Sequence, residues 1–302
     1  MGKLRVSILG AGKIAVTMAE TLAKMDDVVS YAVAARDLDR AQAFAETYGF
    51  EKAYGSYEEM LEDGGTGLVY IATPHSHHYQ HALLCLGHGK NVLCEKAFTV
   101  NRRQAEEVFA LAEQKGLLIT EAVWTRYMPF VKTLRALLDD GAIGKPCSLE
   151  ACFGFELSWH ERLVDPALAG GALLDMGIYP LTLASIAFGD DIAHVVSRCV
   201  KSDRGVDAQD SILLEYADGK LATLTTSMIC NLRNEAVIYG DKGHLVLPSF
   251  WHAEEIQLFV DGEDAPRLYP CPAEISGYEY EVRACARMIA EGRTECEELP
   301  HA

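Results

Sequence analysis

The first 122 residues alternate between two hydrophobic repeats. Short apolar runs, typical of strands buried on both faces, are separated by stretches in which apolar residues recur every three or four positions, as they do in helices. The apolar runs lie near residues 5–10, 28–35, 68–73, 91–96 and 117–122. This alternation predicts an α/β domain built on a doubly wound parallel sheet. Capping-box spacings and glycines predict several helix ends: Ser56 with Glu59, Asn101 with Gln104, Gly49 and Gly116.

From about residue 145 onward the pattern changes to closely spaced strands. They lie near residues 147–157, 193–201, 209–217, 221–230, 235–240 and 254–260, and turn sequences such as Asp218-Gly219 and Asp241-Lys242-Gly243 separate several of them. We therefore predict an α+β domain with a large, mostly antiparallel open sheet and a helix near 172–188. The chain of 302 residues then divides into domains 1–122 and 123–302, and we expect the ligand cleft at their junction.

The composition points to a globular protein with a small-molecule partner. Hydrophobic residues make up 49% of the chain and charged residues 24%. A formal net charge of −17 disfavours nucleic acid and anionic membranes, because both require clustered Lys and Arg. Nine scattered cysteines without a CxxC pair are typical of free thiols in a reducing compartment, which predicts a cytoplasmic location. We also expect no leader sequence, and no apolar run of membrane-spanning length.

A glycine-rich turn follows the first apolar run. After Val6–Leu9 the chain reads Gly10-Ala11-Gly12-Lys13-Ile14-Ala15 and continues as a helix. In a dinucleotide-binding Rossmann domain the first glycine allows the turn and the second lets the backbone approach a pyrophosphate. The N–H groups at the start of the helix then bind the phosphates, which makes Gly10, Gly12, Lys13 and Ile14 candidate coenzyme contacts.

The end of the second strand bears on the choice of coenzyme. An acidic residue there usually holds the ribose 2′-hydroxyl of NAD, but this chain has Arg36, with Arg40 one helical turn later. Two guanidinium groups suit the 2′-phosphate of NADP. Asp37 is either a contact to the ribose of NAD or the N-cap of the next helix, and cap preference favours the second reading. We therefore predict NADP, with NAD possible.

Polar residues follow the third long strand and the fourth. Thr73 and Pro74 leave one strand, Glu95 and Lys96 end the other, and the carboxyl ends of parallel strands are where such folds bind ligands. Lys96 is a candidate for bonding the oxygen at the redox carbon or else a solvated cation, and Glu95 is a candidate ribose contact. This region also contains four histidines, His75, His77, His78 and His81, which could suggest a metal site. Suitable further ligands do not follow them, so we predict no metal. We expect these histidines, chiefly His78, to line the coenzyme cleft.

A second candidate group lies on the helix near 172–188. Asp175 and Tyr179 are four residues apart and share one face, after Gly170-Gly171, which implies a close backbone approach. A phenol and a carboxylate beside an ammonium group make a proton-transfer set, whereas the alternative is a packed tyrosine and a first-turn helix acid. Aromatic residues and one arginine are candidate substrate contacts: Trp124, Arg126, Phe153 and Trp251.

Taken in order, these segments resemble the Gfo/Idh/MocA oxidoreductases, named for glucose-fructose oxidoreductase and inositol dehydrogenase. The resemblance rests on GAGKIA, AVAARDLDRA, ATPHSHH, GKNVLCEKAFTVN, EAVWTRYMP and GGALLDMGIYPL, and the last three are most similar to the dimeric dihydrodiol dehydrogenase branch. The resemblance implies that Lys96 is the catalytic lysine, Tyr179 the acid/base and Asp175 its companion. It also implies NADP at Arg36 and Arg40, and a homodimer formed through the second domain's sheet.

Two positions depart from that family's pattern. Many relatives have a proline where this chain has Ala97, so the turn after Lys96 lacks a stiffening residue, although the lysine is retained. Relatives also commonly continue with another helix beyond a Pro-His that resembles Pro300-His301, whereas this chain stops at Ala302, which leads us to expect a shortened terminus.

The leading hypothesis from the sequence is an NADP-dependent oxidoreductase that acts on a secondary alcohol or its ketone in a sugar-like or cyclic diol substrate. In it, Tyr179 exchanges the hydroxyl proton and Lys96 raises its acidity. Two alternatives use the same coenzyme site. One is a nucleotide-binding sensor without turnover, and the other is a glycosidase that uses bound NAD as a transient oxidant.

Overall fold

The chain folds into two compact units in a computed structural model that describes residues 2–299. One unit takes in the chain up to Val123 and again from Ile275 onward, and the other is Trp124–Glu274. The sequence analysis assigned everything after residue 122 to the second domain, whereas the structure returns the segment from Ile275 to the first unit. The residues predicted to mark a shortened terminus, Pro300-His301, lie outside the described part of the chain.

The first unit contains a six-stranded parallel sheet in the order β3-β2-β1-β4-β5-β6. Its strands are β1 (Leu4–Leu9), β2 (Val28–Ala34), β3 (Lys52–Tyr54), β4 (Leu68–Ile71), β5 (Asn91–Glu95) and β6 (Ile119–Ala122). The central strands are buried on both faces because helices cover both sides; all four residues of β4 are buried. This order and the parallel pairing confirm the predicted Rossmann sheet, and β3 is an edge strand that the sequence analysis missed.

Helices connect these strands, and four of their ends were predicted from local signals. They are α1 (Lys13–Leu22), α2 (Leu38–Tyr48), α3 (Tyr57–Glu62), α4 (His75–Gly87) and α5 (Arg102–Lys115). The side chains of Ser56 and Asn101 accept the backbone N–H groups of Glu59 and Gln104, as the capping-box spacing predicted. Gly49 and Gly116 end α2 and α5 in the left-handed conformation, so the local cap predictions are confirmed.

The second unit contains an eight-stranded sheet in the order β14-β13-β12-β11-β7-β10-β9-β8. Its strands are β7 (Pro146–Gly154), β8 (Ile192–Lys201), β9 (Asp207–Tyr216), β10 (Leu221–Ser227), β11 (Glu235–Gly240), β12 (Gly243–Pro248), β13 (Glu255–Val260) and β14 (Arg267–Pro270). All neighbouring pairs are antiparallel except β10 with β7, which confirms the predicted mostly antiparallel open sheet.

Helices of the second unit lie around its sheet. They are α6 (Pro129–Asp139), α7 (Glu161–Val164) and α8 (Ile178–Phe188), with short 3₁₀ turns at Trp124–Tyr127, Pro166–Leu168 and Phe250–His252. A π-helix, Leu173–Gly177, leads directly into α8, so the helix predicted near 172–188 is present.

The helical segment Pro166–Phe188 has 23 residues and a mean hydropathy of 1.4 in its most apolar window, which is long and apolar enough to cross a membrane by length and composition alone. The sequence analysis expected no apolar run of that length. Because 67% of this window is buried inside the structure, the segment fits the description of a core helix.

The returning segment carries α9 (Glu279–Ala290), which packs against β5 and buries two carboxyl groups completely. Glu279 accepts the backbone N–H groups of Ile275, Ser276 and Gly277 at 2.7–3.0 Å. Burial opposes its ionisation, but these donors outweigh burial and lower its pKa. Neither carboxyl oxygen of Glu281 has a hydrogen-bond partner among the described residues, and burial together with the charges of Glu95 and Glu121 raises its pKa well above the usual value.

The contrast between these two acids predicts opposite effects of the same substitution. The raised pKa of Glu281 means that its contribution to stability is fully present only below the unfolded-state pKa near 4.5 and is lost as the pH rises toward the folded-state value. Glu281→Met removes this penalty, so we expect its free energy of unfolding to exceed the wild-type value by about 1–3 kcal/mol at pH 8, and by less at pH 5. The measurement is urea unfolding of both proteins at the two pH values.

Glu279→Met is the matched control on the same helix. It leaves three buried N–H groups without an acceptor, so we expect a loss of about 1–3 kcal/mol at pH 8. A stabilised Glu279→Met, or a Glu281→Met protein whose advantage over the wild type shrinks as the pH rises from 5 to 8, would contradict this account of the two carboxyl groups.

Candidate active site

The glycine turn of the first unit lies where the backbones of β1 and β4 come together. Gly10 has a φ of +102°, and a Cβ at this position would lie 2.9 Å from Thr73 Cγ2 and 3.2 Å from the carbonyl oxygen of Ala72. Gly12 is the N-cap of α1. Because glycine has no side chain, the first N–H groups of α1 receive no side-chain cap. The turn therefore leaves bare backbone donors at a helix start, as a pyrophosphate requires.

Two exposed arginines follow β2, and one of them reaches this turn. Arg40 Nη2 donates to the carbonyl oxygen of Ala11, so its guanidinium group is held at the glycine turn itself. Arg36 is exposed directly after β2, and its charge acts together with that of Arg40 on the Tyr57 phenol. Asp37 accepts the N–H of Arg40 at 3.0 Å as the N-cap of α2, which is the reading that the sequence analysis preferred. The groups present fit a dinucleotide with an added phosphate.

The loop after β4 is held by two histidines. His78 is fully buried and its two ring nitrogens lie 2.7 Å from the carbonyl oxygen of Thr73 and 2.8 Å from that of Ala97. His81 Nδ1 lies 2.9 Å from Thr73 Oγ1, and burial together with the charges of His77 and His78 lowers its pKa to about 4. His78 therefore ties the loops after β4 and β5 together, and Pro74 follows as the N-cap of α4.

The histidine loop offers little to a metal ion. Carbonyl oxygens only accept hydrogen bonds, so both nitrogens of His78 face acceptors and neither presents a lone pair outward. Over residues 2–299, no group of three or more His, Cys, Asp and Glu side chains is placed to hold a metal ion.

Lys96 follows the last residue of β5 and is half-buried. The carboxylate of Glu95 points into the unit, where it accepts the hydroxyl of Tyr70 and the backbone N–H of Lys96. Burial raises the pKa of Glu95 to about 7, opposed by these hydrogen bonds and by the charge of Lys96. Glu95 was predicted to contact the coenzyme ribose, whereas in the structure its carboxylate points inward. The peptide bond from Lys96 to Ala97 is cis.

In the second unit, Asp175 lies on the π-helix and Tyr179 on the first turn of α8. Both residues are 8% exposed. Arg162 Nη2 donates to Asp175 Oδ1 at 2.9 Å, and this ion pair is largely shielded because only 11% of the Asp175 side chain is exposed. The guanidinium group favours the ionised carboxylate and fixes its direction.

The start of this helical run is held by strand β9. Asp207 Oδ2 accepts the N–H of Leu173 at 2.6 Å. Gly171 has a φ of +124°, and a Cβ there would lie 2.2 Å from Asp207 Oδ1. The pair of glycines predicted a close backbone approach; in the structure Gly170 lies against the backbone of Leu163 and Gly171 against Asp207.

The candidate substrate contacts of the second unit form a row of rings. Phe153 lies 5.0 Å from Tyr179 and 4.6 Å from Trp251, measured between ring centroids. His252 continues the row, 4.7 Å from Trp251 and 5.7 Å from Trp124. The row extends from the ring of Tyr179 through Phe153, and an aromatic surface of this kind suits a ring-shaped substrate.

Arg126, the remaining candidate substrate contact, is directed differently. Its Nη2 donates to Ser185 Oγ on α8 at 2.7 Å. The structure thus gathers Trp124, Phe153, Trp251 and Tyr179 into one row within the second unit, with Asp175 one turn away, and gives Arg126 a contact on the helix.

Three further residues of these regions had no signal of their own in the sequence. Arg162 donates to Asp175, 13 residues further along the chain, and Asp207 accepts the N–H of Leu173, 34 residues before it. His252 stacks on Trp124, which lies in the first turn of this unit. Only the glycines at 170 and 171 pointed to one of them, and they did not identify the partner. The sequence analysis therefore missed the residues that orient the candidate groups.

The two halves of the chain match two family descriptions. Residues 4–123 match "Oxidoreductase family, NAD-binding Rossmann fold", and residues 131–246 match "GFO/IDH/MocA C-terminal domain". Trans-1,2-dihydrobenzene-1,2-diol dehydrogenase of Mus musculus is 39% identical over 297 residues, which are 97% of this chain and 88% of that protein. The enzyme of the same name from Homo sapiens is 36% identical, over 98% and 91% of the two chains.

Solved structures show the same architecture. KijD10, a 3-ketoreductase of Actinomadura kijaniata in complex with NADP and TDP-benzene, superposes with a TM-score of 0.88 at 28% identity, covering 97% of this chain and 91% of that one. The aldose-aldose oxidoreductase of Caulobacter crescentus has the same TM-score of 0.88, with 97% and 91% of the chains covered, at 22% identity, and so shares the fold. The resemblance found in the motifs is confirmed: this chain belongs to the Gfo/Idh/MocA oxidoreductase family, whose N-terminal domain is an NAD-binding Rossmann fold.

Proposed function

We propose that the protein is an NADP-dependent oxidoreductase that interconverts a secondary alcohol and a ketone in a sugar-like or cyclic diol substrate. The observation that carries the proposal is Arg40 held at a bare glycine turn, with Arg36 also exposed after β2, together with a buried tyrosine and carboxylate in the second unit. Relatives named as dihydrodiol dehydrogenases and a 3-ketoreductase complex with NADP support the substrate class and the coenzyme.

In the first unit, the glycine turn and the two arginines bind the coenzyme, and Lys96 acts on the substrate. The N–H groups at the start of α1 hold the pyrophosphate, and the guanidinium groups of Arg36 and Arg40 hold the 2′-phosphate. NADP, when bound, supplies or accepts the hydride. Lys96 binds the substrate oxygen on which charge develops, and the Glu95 carboxylate behind it keeps the local charge balanced.

In the second unit, Tyr179 moves the proton. Its hydroxyl gives the proton to the developing alkoxide, or takes it in the reverse direction, and Asp175 orients the groups beside it. The ion pair with Arg162 keeps Asp175 ionised and in place. The row of rings from Tyr179 to Trp124 holds the apolar face of the substrate and keeps water from the reacting carbon.

The roles of Lys96 and Tyr179 predict a loss of turnover without a matching loss of coenzyme affinity. We expect Lys96→Ala and Tyr179→Phe to lower kcat by about 10²–10⁴-fold, because each removes a group that acts only on the reacting oxygen. The NADPH dissociation constant, measured by fluorescence titration, should change by less than about threefold. Lys115→Ala and Tyr79→Phe alter exposed groups and serve as matched controls.

The assay is a spectrophotometric screen of NADPH oxidation and NADP reduction across sugars, dicarbonyls and cyclic diols, repeated with NAD. Full activity of both variants on the true substrate would contradict the assigned roles. Coenzyme binding without any absorbance change would favour the sensor, and release of a sugar from copurified NAD without net reduction would favour the glycosidase.

The arginine pair predicts which coenzyme is used. We expect the wild type to prefer NADPH over NADH in kcat/KM, and Arg36→Ala and Arg40→Ala each to reduce that preference by about tenfold to a hundredfold, since each removes a charge-assisted contact to the added phosphate. Arg102→Ala removes only an exposed ion pair with Glu106 and is the control. Equal use of both coenzymes by the wild type, or an unchanged ratio in both variants, would show that these arginines do not bind the phosphate.

We further propose that the protein is a cytoplasmic homodimer that binds neither nucleic acid nor membranes, paired through the outer face of the second sheet. Val196 on β8 lies opposite Leu213 on β9, and Leu213 lies opposite Thr223 on β10, so these residues share one face. Val196 is 56% exposed and Leu213 37%. Exposed apolar side chains across adjacent strands favour a second copy of the same face, since a twofold interface is self-complementary.

A lysine on either face of β8 tests this pairing. We expect Val196→Lys to convert a dimer into a monomer in sedimentation velocity at micromolar concentration, because it buries a charge in the interface. Val195 is its neighbour on the opposite face and is 60% exposed, so Val195→Lys should remain dimeric. A monomeric wild type, or equal behaviour of the two variants, would rule out this face as the interface.

A further inference from the structure

The helical run that carries Asp175 and Tyr179 begins without a cap of its own. Ala172 precedes the π-helix and provides no side-chain hydrogen bond, and the N–H of Leu173 is instead accepted by Asp207 Oδ2 at 2.6 Å. Asp207 is the first residue of β9, 34 positions further along the chain. The positive end of the helix dipole lies at the helix start and attracts a carboxylate placed there.

The carboxylate of Asp207 also lies close to the backbone just before the helical run. A Cβ on Gly171 would lie 2.2 Å from Asp207 Oδ1 and 3.0 Å from Oδ2, so the carboxylate packs directly on the backbone that leads into the π-helix. A shift of this carboxylate away from Leu173 breaks the hydrogen bond that holds the start of the helical run. The side chains of Asp175 and Tyr179 follow within two turns of that backbone.

A second acid, Asp210, lies three residues after Asp207 on β9. Asp210 is 6% exposed and its Oδ2 has no hydrogen-bond partner among the described residues. Its cross-strand neighbours are Cys199 on β8 and Thr226 on β10, and the helical run packed on β9 contributes Asp175 with its partner Arg162. Burial, and then the charge of Asp207 and a hydrogen bond to it, raise the pKa of Asp210 to about 7.

The two acids have different surroundings. Asp207 accepts the backbone N–H of Leu173, whereas burial of Asp210 favours its neutral form. A protonated Asp210 donates to Asp207 and so neutralises part of the repulsion between the two carboxyl groups. When both are ionised, two like charges meet next to the start of the helical run.

We propose that Asp207 and Asp210 are positioning residues for the reaction: a carboxylate on Asp207 and a proton on Asp210 hold the start of the helical run, and with it Asp175 and Tyr179, in the reactive arrangement. This inference rests on the proposed function of Asp175 and Tyr179. It adds that turnover falls as Asp210 loses its proton, on a limb of the pH profile near 7.

The test compares pH profiles of kcat from pH 5.5 to 9. We expect the wild type to lose about tenfold in kcat above pH 7, since a small misplacement of catalytic groups costs this much or more. Asp210→Asn carries an amide that donates to Asp207 at every pH, so its profile should lack that limb while its kcat at pH 6 stays within about threefold of wild type. Asp207→Ala should lose about tenfold or more in kcat at every pH, with the NADPH KM within about threefold.

Asp207→Asn is the rescue variant, because its amide oxygen still accepts the N–H of Leu173; its kcat at pH 6 should exceed that of Asp207→Ala. A kcat profile of Asp210→Asn that parallels the wild type would overturn the proposal, as would an Asp207→Ala protein with wild-type kcat. Hydrogen exchange of the 173–179 amides gives a readout independent of turnover: protection should fall between pH 6 and pH 8 in the wild type and not in Asp210→Asn. If no substrate is turned over, the proposed function fails. Unchanged protection in the wild type between pH 6 and pH 8 would overturn the positioning role of Asp207 and Asp210.

Discussion

The candidate coenzyme site depends on one close approach between two backbones. β1 and β4 pair in parallel, with Leu9 opposite Ile71, and the next residue on each strand brings Gly10 against Ala72 and Thr73. Any side chain at Gly10 would collide with that loop, so glycine sets the distance at which the two strand ends lie. Arg40 then bonds to the turn at Ala11, and the histidines bond to Thr73 on the other side. The phosphate-binding groups are thus arranged around this contact.

Most of the fold could be predicted because its signals are local. Buried parallel strands are apolar runs and capped helices have fixed spacings, so the central strands and the caps of α3 and α5 were found. β3 has three residues and β14 is mostly exposed, and neither gives an apolar run. The return of α9 to the first unit left no local signal, since its buried Glu279 and Glu281 resemble surface acids in the sequence.

The candidate groups were predictable only as far as they belong to a motif. The glycine turn, Arg36 and Arg40 lie within a few residues of a predicted strand end, so a linear pattern could identify them. The partners that orient Asp175 lie elsewhere: Arg162 is 13 residues before it, and Asp207 caps Leu173 from a different strand. Both contacts are consequences of tertiary packing, which no spacing in the sequence records. Glu95 shows the same limit, because its motif position gave no indication that the carboxylate points inward.

Buried carboxyl groups are charged or neutral in this protein according to the N–H and O–H donors they receive. Burial alone would keep all of them neutral. Glu279 receives three backbone donors and is ionised, whereas Glu281 receives none and is neutral. Glu95 lies between these limits with one hydroxyl and one N–H donor, and its pKa is about 7. The carboxyl group next to Lys96 is therefore balanced near neutral pH, because its donors only partly offset its burial.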